Sequence, residues 1–93
     1  MMQVVTVTKE DRALDQTRLK WERIAAIVLT GTRREMAVSQ QELADRLGWT
    51  RNMVANLESG RRSLRLSDLF LIAAALETTA ELLTQRISNW GKP

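Results

Sequence analysis

Apolar residues recur at helical spacing along most of this chain. Leu14, Trp21, Ala25 and Val28 follow one another at intervals of three, four or seven, which predicts a helix from about Lys9 to Met36. Thr8 supplies a cap for it, and Glu10 and Asp11 place acids near the positive end of its dipole. Gly31 is a weak point, costing about 1 kcal/mol against Ala in a helix interior. The part after about Arg18 is expected to form the structural helix, and the earlier part is a flexible or dimer-specific extension. Trp21 reads as a packing residue. Met1 to Thr8 is rich in β-branched residues and alternates weakly. It is either a disordered tail or a short strand pairing across a dimer, and an isolated strand has no partner in an otherwise helical chain.

Between Ser39 and Arg62 the pattern becomes two short helices joined by a tight turn. Ser39 and Glu42 have capping-box spacing, and Val38 and Leu43 have that of a hydrophobic staple. Leu43, Ala44 and Leu47 form one apolar face, and Gly48 stops the helix. Thr50 caps the second helix, with Trp49 and Val54 again at staple spacing. Val54 and Leu57 point inward, while Arg51, Asn52, Ala55 and Asn56 fall on the other face. Gly60 ends this helix, and Arg61, Arg62, Ser63 and Arg65 make a polar loop.

A fourth helix is expected from about Leu66 to Leu76. Leu69, Phe70, Leu71, Ile72 and Leu76, with three alanines, make it apolar nearly all round, so a partner subunit is expected to cover part of it. A fifth helix follows a Thr79 cap and carries Leu82, Leu83 and Ile87, with Trp90 near its end. Leu71, Ile87 and Trp90 are candidate dimer contacts; Ile87 and Trp90 packing back onto Trp21 within one chain is the alternative.

The polar face of the second short helix suggests a chemistry. Arginine bonds bidentately to guanine O6 and N7, and asparagine to adenine N6 and N7, in the DNA major groove. A helix in that groove reads bases mainly with its N-terminal residues. Charge agrees. The chain carries a formal +3, and the same +3 lies within Trp49 to Leu66, from Arg51, Arg61, Arg62 and Arg65 against Glu58. Basic charge is thus focused beside the candidate reading helix, as an electrostatic footprint on DNA requires.

SQQELADRLGWTRNMVANLESGRRS resembles the helix-turn-helix of the Cro and lambdoid-repressor type, the XRE family. The matching residues are Gln40, Glu42-Leu43-Ala44, Leu47-Gly48, Thr50, Val54, Leu57-Glu58 and Gly60. The resemblance covers about Leu29 to Leu83. It implies an all-α, compact five-helix lambda-repressor-like domain that binds operator DNA, usually as a dimer. It also implies that Gln40 braces the backbone contact and touches the recognition helix, that base contacts come from Arg51, Asn52, Ala55 and Asn56, and that Arg33 pairs with Glu58. Leu29, Arg33 and Met36 match core and bracing positions. The loop of Arg61, Arg62, Ser63 and Arg65 would lie along the DNA backbone, with Thr50 beside it. Trp49, Ala55 and Glu77 depart from the pattern: a large residue for a small one, a bare methyl at a reading position, and Glu at a turn often held by Gly.

The sequence therefore divides into an N-terminal extension over 1–18, either a flexible tail or an extension of the first helix, the helix-turn-helix domain over 19–90 and a short tail over 91–93. The chain has no Cys and no His, which excludes disulfides, thiolate chemistry and the usual zinc ligands. The first apolar stretch, Val4 to Val7, is too short for a signal peptide and lacks a basic start, so the expected location is cytoplasmic. No nucleophile–base set or phosphate loop is visible, and neither an enzyme nor a cofactor is implied. The first functional reading is a repressor-like, sequence-specific regulator binding double-stranded DNA as a homodimer on a palindromic operator. The second is an antitoxin-like module that also binds DNA and captures a protein partner through the N-terminal extension.

Overall fold

A computed structural model describes residues 9–92, apart from the Asp11 side chain. The strand or tail expected at Met1 to Thr8, and the Thr8 cap, lie outside the described residues. Among these residues the chain forms five helices: α1 (Lys9–Glu35), α2 (Gln40–Leu47), α3 (Arg51–Glu58), α4 (Leu66–Ala75) and α5 (Ala80–Trp90). None is long and apolar enough to cross a membrane.

Helix α1 is continuous across Arg18, so the boundary drawn between 18 and 19 falls inside it. Its first turns carry the exposed Leu14 and Leu19, while the buried stripe begins at Ile24 and runs through Ala25, Val28 and Leu29. Burial of an amphipathic face is what stabilises most protein helices, so α1 is anchored by its second half. Helices α1 and α5 pack together. There the Trp21 ring closes on the backbone of Gly91, where an added Cβ would come within 2.7 Å of two ring carbons. Gly91 is needed for this close approach rather than for an unusual dihedral angle.

Helices α1 to α4 share one way of ending. After each, a residue adopts the left-handed conformation, and its own amide and the next one turn back onto the last carbonyls in the 5→2 and 6→1 pattern of a Schellman motif. Gly48 and Gly60 take this position after α2 and α3, with φ of 70° and 81°. Ala37 and Glu77 take it after α1 and α4, both at φ 56°. A side chain is thus held where glycine is the unstrained choice. The first of these turns redirects the chain at the end of α1, which leaves Met36 46% exposed rather than in the core.

The core draws on all five helices. Leu29, Val38, Leu43, Val54, Leu57, Leu69, Ile72, Leu76 and Leu83 are buried together, with Trp49, Leu64 and Ile87 packed at its edge. Helix α4 and its C-cap bury Leu69, Ile72, Ala73 and Leu76 within their own chain, while Phe70 and Leu71 stay exposed. Of the three candidate dimer contacts, Leu71 and Trp90 are exposed, whereas Ile87 is partly used by the core. The reason is register: Ala80, Leu83 and Ile87 share the inward stripe of α5, from which Leu82 is turned away.

Candidate nucleic-acid interface

Helices α2 and α3 are each too short to hold their shape alone, and local chemistry fixes their starts. The Ser39 hydroxyl accepts from the Glu42 amide at 3.0 Å, and the Glu42 carboxylate accepts from the Ser39 amide at 3.2 Å. The Thr50 hydroxyl accepts from the Met53 amide at 3.2 Å. A cap of this kind contributes about 1 kcal/mol. Val54 and Leu57 then bury one face of α3. This leaves Arg51, Asn52 and Asn56 exposed and Ala55 half-buried on its outer side.

A buried ion pair ties α3 to α1. Arg33 donates from Nε to Glu58 Oε2 at 2.7 Å and from Nη2 to Oε1 at 2.9 Å, with both side chains 8% exposed. The third guanidinium nitrogen, Nη1, donates to the Val38 carbonyl at 2.8 Å. Gln40 adds a bond from Nε2 to Glu58 Oε1 at 3.0 Å. Glu58 therefore receives donors from both α1 and the start of α2. The hydrogen bond to Glu58 raises the Arg33 pKa above its ordinary value, with burial opposing it and the Glu58 charge adding to it. Charge-assisted forks of this kind fix orientation as well as adding energy.

The segment between α3 and α4 is also held at several points. The Arg61 and Arg62 amides both donate to the Asn56 carbonyl, at 2.9 and 3.0 Å. At the far end, the Asp68 carboxylate caps α4 by accepting from the Arg65 amide at 3.0 Å. In the sequence Arg62 stands beside Arg61 as a backbone contact. In the structure its guanidinium turns inward, 3.6 Å from the buried Asp68 carboxylate and 4.4 Å from the centre of the Trp49 ring. Arg61, Ser63 and Arg65 remain exposed. Arg51, Asn52 and Asn56, the Thr50 cap and these loop residues are all exposed on α3 and the segments that flank it.

Three contacts escaped sequence reasoning. Besides the Arg62 site, Arg46 donates to the Ala75 carbonyl at 2.8 Å, and Arg86 donates to Glu35 at 2.8 Å and to Thr32 at 3.1 Å. The only available signal was Trp49 in a turn where smaller residues are usual.

A family model described as helix-turn-helix matches residues 32–83, more than half of the chain. The chain belongs to the XRE-type helix-turn-helix family. As a member of that family it is a DNA-binding transcriptional regulator and not an enzyme. No curated protein sequence matches it. Solved structures do. The clp gene regulator ClgR from C. glutamicum is 18% identical, with a TM-score of 0.73, over 77% of this chain and 94% of that one. An XRE-family like protein from Pseudomonas syringae pv. tomato str. DC3000 is 19% identical, with a TM-score of 0.72, over 91% of this chain and 100% of that one. The restriction-modification controller protein C.Esp1396I, as a tetramer in complex with its natural 35 base-pair operator, is 25% identical, with a TM-score of 0.64, over 73% of this chain and 95% of that one. The first two establish the likeness of fold.

Proposed function

We propose that this regulator reads a palindromic operator as a homodimer and acts as a repressor. Helix α3 enters the major groove, with Arg51, Asn52 and Asn56 bonding to base edges and the Ala55 methyl against a thymine methyl. Gln40, Thr50, Arg61, Ser63 and Arg65 contact the sugar–phosphate backbone, which positions the protein without reading sequence. Two copies place their α3 helices about 34 Å apart, one helical turn of DNA. A bound dimer excludes transcription machinery from the same site. The expected location is the cytoplasm.

The single observation that carries this reading is the division of α3 into two faces. Val54 and Leu57 are buried, while Arg51, Asn52 and Asn56 are exposed on the other face of a helix held by a buried ion pair. The operator-bound relative, whose complex is a tetramer, adds support for both DNA and self-association as partners. Selection from a random duplex library at near-physiological salt is the test. Enrichment of an inverted repeat with half-sites one turn apart is the expected result. Steeply salt-dependent binding with no enriched sequence would reject base reading by α3.

A further inference from the structure

Arg62 is one of four arginines in the basic stretch, but it is held differently from the others. Its guanidinium lies between an aromatic face and a carboxylate. On one side is the Trp49 ring, at 4.4 Å from its centre. On the other is Asp68, 4% exposed, at 3.6 Å. The Asp68 carboxylate oxygen nearest Arg62 also accepts the Arg65 amide at the start of α4. Trp49 precedes Thr50, the residue that caps α3. One side chain therefore bridges the turn before α3, the loop after α3 and the first turn of α4.

We propose that Arg62 is a positioning residue for DNA binding, a pin that fixes the 59–65 loop against the entry of α3, and not a phosphate contact. This inference rests on the regulator reading above. Three physical arguments support it. A planar guanidinium stacks on an indole while still donating within its plane, which an ammonium does not do. Leaving the site for a phosphate would leave the buried Asp68 carboxylate without its cation, at a desolvation cost. Finally, the neighbouring Arg61 and Arg65 are exposed and unstacked, so the loop retains cations for the backbone without Arg62.

A pin and a clamp differ in measurable ways. Each phosphate contact adds about 0.9 to the slope of log affinity against log salt. A positioning residue lowers affinity at every salt concentration and leaves the slope alone. The test compares R62Q, R62K and R61Q in the full chain, binding the selected duplex and an unrelated duplex of equal length. For R62Q, we expect a loss of roughly two- to fivefold on both duplexes, the size of a partly exposed cation–π pair, with the slope unchanged within about 0.3. R62K should fail to restore affinity although it keeps the charge. R61Q should lower the slope by about one. Without DNA, the Arg62 side-chain proton resonances should be shifted upfield by the Trp49 ring current, and W49L should return them to ordinary values.

A slope lowered by about one in R62Q, with recovery in R62K, would make Arg62 a phosphate clamp and overturn the inference while sparing the regulator reading. Unshifted Arg62 resonances in the free wild-type protein would overturn it at the level of structure. Wild-type protein that binds no duplex would overturn the regulator reading, and this inference with it. Should W49L fail to fold, the two Arg62 variants and the wild-type resonances carry the test.

Discussion

The guanidinium of Arg33 and the carboxylate of Glu58, 25 residues apart in sequence, meet as a buried fork of two parallel hydrogen bonds. The fork joins the last turn of α1 to the last residue of α3, so the reading helix is referenced to the longest element of the fold. Gln40 and the Val38 carbonyl complete the set, and no buried polar side-chain atom among the described residues lacks a partner.

Breaking this pair from one side is expected to be costly. Glu58→Leu would leave the Arg33 guanidinium buried without its counter-charge, at about 3–5 kcal/mol. Arg33→Met combined with Glu58→Leu should cost markedly less than Glu58→Leu alone, since both charges are then gone. Urea denaturation of the two proteins measures the difference. Equal destabilisation would show that the fork is not an energetic unit.

The same pair fixes the sign of a pH prediction. The folded pKa of Arg33 is raised above its ordinary value, so the stability it contributes is fully present below that ordinary value. The contribution is lost only as pH rises through the still higher folded pKa. The chain also has no histidine, the side chain whose ordinary pKa falls nearest neutrality. Melting temperature is therefore expected to vary by less than about 2 °C between pH 6 and 8. A larger drift would reveal a shifted group outside this account.

Two positions invite substitution in opposite directions. Gly31 sits inside α1 with nothing within 4 Å of where a Cβ would lie. Gly31→Ala should therefore stabilise the fold by about 1 kcal/mol, raising the melting temperature by roughly 4–8 °C.

Glu77 has the reverse problem, being held at φ 56° in the turn after α4. The left-handed conformation costs an L-residue about 1–2 kcal/mol, and glycine avoids that while losing more chain entropy on folding. Glu77→Gly should give a net gain of about 0.5–1 kcal/mol. A destabilised E77G would mean that the exposed Glu77 side chain contributes more than its backbone costs.

On DNA, Arg51 and Arg61 should separate by the kind of damage their loss causes. Arg51→Ala should cost roughly 1–3 kcal/mol on the selected duplex and relax the preference at one base pair. Arg61→Ala should weaken all duplexes alike and lower the salt slope by about one. Binding titrations on matched and mismatched duplexes distinguish them, and identical effects would refute the division into reader and clamp.

Much of this architecture was legible because it is local. The Ser39–Glu42 box, the Thr50 and Thr79 caps and the Gly48 and Gly60 stops depend on residues within one or two turns, and short-range spacing encodes them directly. The inward stripe of Val54 and Leu57 follows from helical periodicity alone. Arg33 and Glu58 entered the sequence reading through family resemblance, since nothing in spacing connects residues so far apart. The basic loop was legible as a run of like charges after the second short helix, but not in which of its arginines stay in solvent.

The sequence by itself determined where helices begin and end, which face of each is apolar, and that positive charge concentrates after α3. It did so because capping, periodicity and charge are properties of neighbouring residues. Only the tertiary structure decided which like-charged side chains do different work. Arg61 and Arg65 stay in solvent, whereas Arg62 is drawn between Trp49 and Asp68. It likewise decided that Met36 leaves the core and that Ile87 is partly spent within the chain. These outcomes depend on how the helices cross and on where each turn aims the next segment, which residue spacing along one segment does not specify.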